Sequence, residues 1–203
     1  MVRLIWIRHG ETEANRAKRY IGHLDEPLNG SGIEQAGRLA RSLAHLDVEI
    51  MYVSDLRRCR ETARFCAKHW PDAPMEITPD LRECSFGRWE GWTYREIAER
   101  EPELLQKWLG DPFRHAPPQG ESLRDLDRRL TAWLEEAEQK TVGKTAAVFS
   151  HGGPIRWFLA KHVFRDWDQF WRLEIPHAGA WVAVKEERWE IERIFAGNGA
   201  EES

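Results

Sequence analysis

The apolar positions of this chain alternate between short unbroken runs and helical spacing. Leu4–Ile7, Ile50–Val53 and Thr145–Phe149 are short apolar runs and predict buried strands. Trp181–Val184 and Trp189–Phe195 predict two late strands joined by the charged stretch Lys185–Arg188. Ile33, Ala36, Leu39, Ala40, Leu43 and Ala44 recur at three- and four-residue intervals, which predicts an amphipathic helix over Ile33–Ala44. Ser54 or Asp55 is the expected cap of a helix carrying Leu56, Cys59, Ala63, Cys66 and Ala67. Leu123, Leu126, Leu130, Trp133, Leu134 and Ala137 form one stripe over Ser122–Glu138, with Ser122 as N-cap. A further helix, Ile155–Val163, follows Pro154, a residue that suits a first helical turn.

The intervening stretches are punctuated by turn formers. Tyr20–Gly32 carries Gly22, Pro27, Asn29, Gly30 and Gly32 and reads as a loop. Pro71, Pro74 and Pro79 predict an extended connection, and Asp80–Trp92 is too Gly-interrupted for a helix. Thr93 and Glu96 make a capping box ahead of two short helices broken at Pro102 and ending near Gly110. Asp111–Gly120 is loop, and Gly197–Ser203 is a small, polar tail expected to fray. Strands alternating with helices predict one α/β domain, 1–196, with a mainly parallel sheet and a ligand site beyond the carboxyl ends of the strands.

Composition narrows the classes of function. The chain has 203 residues, 32% charged and 41% apolar, an ordinary soluble balance. Its net charge of −4 gives no global cationic field for nucleic acid or an anionic membrane, so an anion site must be a local cluster. The apolar run at the N-terminus is too short for a signal peptide or a span. Three cysteines, Cys59, Cys66 and Cys84, without a C-x-x-C pair argue against a disulfide framework or zinc knuckle and point to a reducing, cytoplasmic setting. No carboxylate cluster or H-E-x-x-H pair suggests metal ligands, so neither a metal nor a cofactor is expected.

Four segments far apart in the chain carry residues that handle phosphate. Arg8 and His9 end the first strand: a planar fork of donors beside an imidazole able to act as nucleophile or acid/base. Asn15 adds a neutral donor, and the loop containing Ile21 and Gly22 offers backbone amides. In Ser54-Asp55-Leu56-Arg57-Arg58-Cys59-Arg60-Glu61-Thr62-Ala63, an Arg in a first helical turn joins its charge to the positive end of the dipole. Leu81-Arg82-Glu83-Cys84-Ser85-Phe86-Gly87 supplies a carboxylate. Ser150-His151-Gly152-Gly153 sets an imidazole and free amides at a strand-to-helix junction, with Gly152 allowing close approach.

Two other phosphate signatures fail. Gly30-Ser31-Gly32 is not a dinucleotide fingerprint, because Gln35 fills the third glycine position and no strand precedes it. Gly143-Lys144-Thr145 is not an ATP loop, because Glu138 stands where the first glycine belongs and the segment precedes a strand.

Arg8-His9-Gly10-Glu11-Thr12 with Asn15 resembles the signature of the histidine phosphatase superfamily, and the resemblance runs over roughly residues 3–185. It implies an α/β, three-layer, phosphoglycerate mutase-like fold: a mainly parallel central sheet flanked by helices, with a small helical insertion, 79–120, over the site. It also implies a transiently phosphorylated His9 and a phosphate pocket of Arg8, Arg58 and His151, joined by Asn15, Gly152, Ile21 and Gly22 and bordered by Thr12. Arg58 is selected by the pattern Ser-x-Leu-x-Arg-x-x-x-Thr-Ala. Glu83 is the acid that protonates the leaving oxygen and then activates water. That dual role needs a raised carboxyl pKa, which burial favours and an inward Arg82 opposes. The implied partner is a small-molecule phosphomonoester, with a homodimer as the candidate assembly.

Within that family, Tyr20-x-Gly22-His23, Pro27-Leu28, Gly32-Ile33-Glu34-Gln35-Ala36 and Gly120-Glu121-Ser122 resemble the α-ribazole phosphatase and broad-specificity phosphatase branches. The mutase alternative is less favoured, because Gly91-Trp92-Thr93-Tyr94 lacks the extra Lys that mutases carry there and the insertion is short. A catalytically inactive phosphate-binding module is the alternative of another class. Pro176-His177 departs from the Pro-Asn often seen in relatives and makes His177 a candidate pocket residue. Trp89, Trp92, Trp108 and Phe113 either wall the pocket or pack the insertion.

Overall fold

The computed structural model describes residues 1–197 and 201–202. Strand β1 (Val2–Arg8) leads through one helical turn, α1 (Glu13–Arg16), and a loop to α2 (Gly30–Leu43). Then come β2 (Ile50–Ser54), α3 (Arg57–Cys66) and β3 (Met75–Thr78). The insertion holds α4 (Tyr94–Arg100) and α5 (Pro102–Gly110), and α6 (Leu123–Lys140) follows it. β4 (Thr145–Ser150) runs into α7 (Gly152–Phe158), which continues as a π-helical segment, Leu159–Phe164. The chain then forms α8 (Gln169–Arg172), β5 (Ala180–Lys185), β6 (Trp189–Phe195) and β7 (Glu201–Glu202).

The strands form one sheet in the order β3-β2-β4-β1-β5-β6-β7. The half from β3 to β1 is parallel, and β5, β6 and β7 add antiparallel pairs, so five of the seven strands run in one direction. Side chains alternate across the pleat, and each face has its own core. Leu4 and Trp6 of β1 join Tyr52, Val148 and Trp181 under α6 and α7. Ile5 and Ile7 point the other way, with Val53, Phe149 and Val182, under α2 and α3. Helices on both faces explain why these strands read as continuous apolar runs rather than alternating ones. No described helix is long and apolar enough to cross a membrane.

Several boundaries differ from the sequence expectation. α2 begins at Gly30, not Ile33, because the Asn29 side chain accepts from Gly32 N at 2.8 Å and starts the helix three residues earlier. Neither Ser54 nor Asp55 caps α3: Leu56 holds the N-cap position without a side-chain bond, and Asp25 Oδ1 accepts from Arg57 N. The helix expected from Ile155 starts at Gly152, with His151 alone between it and the end of β4. The proline-bounded connection contains β3, paired with β2. In the tail expected to fray, Glu201–Glu202 pair with Ile194 and Phe195, while 198–200 and 203 lie outside the described residues.

The insertion has a small core of its own. Trp89, Ile97, Leu105 and Trp108 pack together, with Tyr20 and Phe86 against them. Trp89 Nε1 donates to Glu101 at 2.6 Å, the Trp92 ring faces the Arg100 guanidinium at 4.5 Å, and Phe113 meets Trp167 at 4.7 Å. These contacts give all four aromatics a packing role.

Candidate active site

The parallel half of the sheet delivers the site. β1 and β4 are neighbours with Arg8 opposite Ser150, so the next residues, His9 and His151, leave the sheet side by side. Their ring centroids are 5.1 Å apart, and both side chains are buried. β2 ends on Ser54 beside them, and the chain beyond β3 returns through Leu81 to Glu83. The convergence expected from four distant segments is therefore a consequence of strand order.

His9 is held in one tautomer. Its Nδ1 lies 2.7 Å from the Gly10 carbonyl, which accepts, so the Nδ1 proton is fixed and Nε2 keeps its lone pair. Burial, then Arg58 and Arg8, push its pKa well below the ordinary histidine value, which keeps the ring neutral. Gly10 serves close packing: a side chain there would press on the Gly32 carbonyl, and Gly32 in turn lies against Glu11. The turn after β1 is thereby seated on the first turn of α2.

Arg8 presents an unpartnered, buried Nε, while its NH1 donates to the Ile175 carbonyl. Burial lowers its pKa to about 10, which leaves it charged at neutral pH. Arg58 is fully buried. Its Nε donates to His151 Nδ1 at 3.2 Å, and its two terminal nitrogens donate to Leu24 O at 2.7 Å and Gly22 O at 2.8 Å. One guanidinium thus ties the Ile21–Gly22 loop to the pocket. Because an Arg only donates, His151 Nδ1 is an acceptor. The His151 proton then sits on Nε2, 2.9 Å from Ser54 Oγ. Burial and Arg58 hold His151 well below its ordinary pKa as well.

Glu83 rests on the first turn of α7. Gly153 N donates to both carboxylate oxygens at 3.1 and 3.0 Å, and Cys84 N donates to Oε1 at 2.8 Å. A side chain on Gly153 would overlap Oε1, so the second glycine of His151-Gly152-Gly153 is the seat of the carboxylate. Arg82 points away from Glu83: it makes a two-pronged pair with Asp55 at 2.7 and 2.6 Å and holds that carboxyl below its usual value.

The remaining candidates fall around this centre. Thr12 and Asn15 form the capping box of α1, which holds Asn15 Oδ1 and leaves its Nδ2 as the available donor. Gly152 is the first residue of α7, and a side chain there would touch the Arg8 and Arg156 guanidinium groups. The His177 ring lies 5.8 Å from His9. Four residues outside the sequence candidates, Ser54, Thr62, Gly153 and Arg156, also border or brace this centre. Thr62 Oγ1 accepts from Gly10 N at 3.1 Å, and Arg156 Nε donates to Leu173 O at 2.9 Å. The motif offered Ser54 and Thr62, but their partners are dozens of residues away. The described residues contain no group of three or more His, Cys, Asp or Glu able to hold a metal.

The fold and this two-histidine, two-arginine pocket define a phosphate-handling α/β enzyme. The chain belongs to the histidine phosphatase superfamily (branch 1), whose family model matches residues 4–196. It is similar to the adenosylcobalamin/alpha-ribazole phosphatase of Salmonella typhimurium, at 31% identity over 90% of each chain. It is also similar to phosphoserine phosphatase 1 of Hydrogenobacter thermophilus, at 33% identity over 94% of this chain and 90% of the relative. Among solved structures, a putative alpha-ribazole-5'-P phosphatase from Escherichia coli superposes with a TM-score of 0.87, at 26% identity over 94% of each chain.

Proposed function

We propose that this phosphatase hydrolyses small-molecule phosphomonoesters through a phosphohistidine on His9, with Glu83 as general acid and base. The observation that carries the reading is the Nδ1-to-Gly10 hydrogen bond of His9, which directs a free Nε2 lone pair into a pocket bordered by Arg8, Arg58 and His151. The phosphate dianion binds among these groups, the Asn15 amide and the Gly152 N–H. His9 Nε2 forms a bond to phosphorus as the ester P–O bond breaks, and the departing oxygen takes the proton of the Glu83 carboxyl. Water then attacks the phosphohistidine. Its proton passes to the Glu83 carboxylate, the P–N bond breaks, and inorganic phosphate leaves. Arg8 and Arg58 hold the equatorial charge throughout. Direct contact of His151 with a phosphate oxygen requires a proton on Nδ1, and the bound dianion supplies the potential that favours it.

The named relatives act on α-ribazole and serine phosphates. α-Ribazole-5'-phosphate is the substrate we put first, because the motif resemblance and the structural neighbour point the same way. The test is phosphate release from a panel of α-ribazole-5'-phosphate, phosphoserine, sugar phosphates and p-nitrophenyl phosphate, without bisphosphate primer and with EDTA present. Release is expected from the wild type and absent in His9→Ala. Full turnover in His9→Ala would remove the mechanism, and a requirement for primer would favour mutase-type transfer.

A further inference from the structure

Two residues whose charge or ring acts on His9 each hold a buried polar atom without a hydrogen-bond partner. These atoms are Arg8 Nε and His177 Nε2. The first belongs to the anion pocket already described. The second belongs to an imidazole whose centroid is 5.8 Å from that of His9 and whose charge state is coupled to Arg8. A buried polar nitrogen is ordinarily partnered in a folded protein, so one that the fold leaves unpartnered beside a reacting centre is a candidate contact for the reacting group.

We propose that His177 is a further catalytic residue, whose Nε2–H donates to a non-bridging oxygen of the phosphoryl group while it passes between substrate, His9 and water. This rests on the phosphohistidine reading above and adds a donor that the reading does not include.

The backbone holds the ring in place. Ala178 N donates to the His9 carbonyl at 3.1 Å, and Gly179 N donates to Pro176 O at 3.1 Å. Ala178 adopts a left-handed conformation, φ 53°, which turns the chain immediately after His177. On the far side Gly197 packs so closely on the His177 carbonyl that a side chain there would overlap it. His177 therefore approaches the reacting centre from a segment tied directly to His9.

The surroundings also decide what the ring can do. The charged and titratable groups facing it are Arg8 and His9, and burial with Arg8 pushes its pKa down to about 3. At neutral pH it is an uncharged donor, unable to serve as the proton source, so Glu83 keeps that role. A neutral N–H needs no counter-ion beside Arg8, and a preplaced neutral donor within reach of the His9 ring is the kind of group that favours a transition state over a bound ground state.

The experiment compares His177→Phe, which keeps an aromatic ring but has no N–H, with His177→Asn, which keeps a neutral donor. Each is assayed with p-nitrophenyl phosphate and inhibited by orthovanadate and by inorganic phosphate, with thermal melts to check folding. His177→Phe is expected to lower kcat by about 10²-fold and to weaken vanadate inhibition by a similar factor, with a much smaller effect on phosphate, as for loss of one preplaced donor. His177→Asn is expected to recover about tenfold or more of that loss. Labelling quenched without acid, in alkaline detergent, should still place phosphate on His9 in every variant that folds. If kcat and vanadate inhibition in His177→Phe stay within about twofold of wild type, the ring only packs and the proposal is overturned. If His177→Phe does not fold, His177→Asn and His177→Gln decide: near-wild-type vanadate affinity supports the donor, and an equal loss in both overturns it. Absence of label on His9 in the wild type would instead overturn the underlying phosphohistidine reading, a separate and visible failure.

Discussion

Glu83 has two tasks in this account, and its surroundings separate them from folding. Its carboxylate is held by two backbone amides, Cys84 N and Gly153 N, and Arg82 is engaged by Asp55. Glu83→Gln keeps the shape and an acceptor oxygen but removes the exchangeable carboxyl proton. It should lower kcat by about 10²–10⁴-fold, the usual worth of a general acid, with a melting temperature close to wild type. An unchanged kcat would move proton transfer to another group. At this scale the family motifs pick Arg8, His9, Arg58, Glu83 and His151 out of the chain, and strand order brings their segments to one end of the sheet. Residue type alone would leave Arg58 on a solvated helix face and Glu83 on the surface. The sequence was uninformative where the requirement is a distant partner. Ser54 reads as a helix cap next to α3, yet its hydroxyl meets His151, 97 residues away. The spatial order of strands, which no local pattern encodes, makes that pair.

Elements show the same division. Long, strongly periodic segments such as α2, α3 and α6 were legible because their apolar stripe is what packs them on the sheet. α1 and α8, four residues each, have no room for a stripe, and β3 is half exposed at the sheet edge, so tertiary contacts decide them. Glycine roles were legible only in part. Gly10 and Gly153 both look like turn formers, but Gly10 faces backbone whereas Gly153 faces the end of the flexible Glu83 side chain. Gly153→Ala should therefore leave the melting temperature nearly unchanged while lowering kcat at least about tenfold, because the carboxylate must leave its seat. Gly10→Ala should lower the melting temperature, because the Gly32 carbonyl it meets cannot swing aside. Equal effects of the two substitutions on stability would contradict this distinction.

The whole molecule places a core on each sheet face and a third, smaller one in the insertion. At the junction of the two large cores sit neutral imidazoles. Burial first, and Arg58 next, hold His9 and His151 well below the ordinary histidine pKa. His177 is lowered to about 3 and His162 to about 4, again mainly by burial. Below about pH 6.5 the unfolded chain takes up protons that these folded rings refuse, so stability falls as pH falls, until each folded pKa is passed. The slope is up to about 1.4 kcal/mol per pH unit for each such proton. The lowered carboxyls Asp55 and Asp125 add their loss only below the ordinary aspartate value of 3.8. The urea midpoint should therefore drop between about pH 7 and about pH 5, with a shallower slope in His177→Asn. A midpoint independent of pH over that range would contradict neutral burial.

Turnover by this route requires a covalent bond between phosphorus and one imidazole nitrogen. Rapid acid-free quenching of the enzyme with ³²P-labelled p-nitrophenyl phosphate, followed by peptide mapping, reads that bond directly. The prediction is an acid-labile, alkali-stable label confined to His9 and missing in His9→Ala. Steady hydrolysis without label, or label on any other side chain, would contradict it.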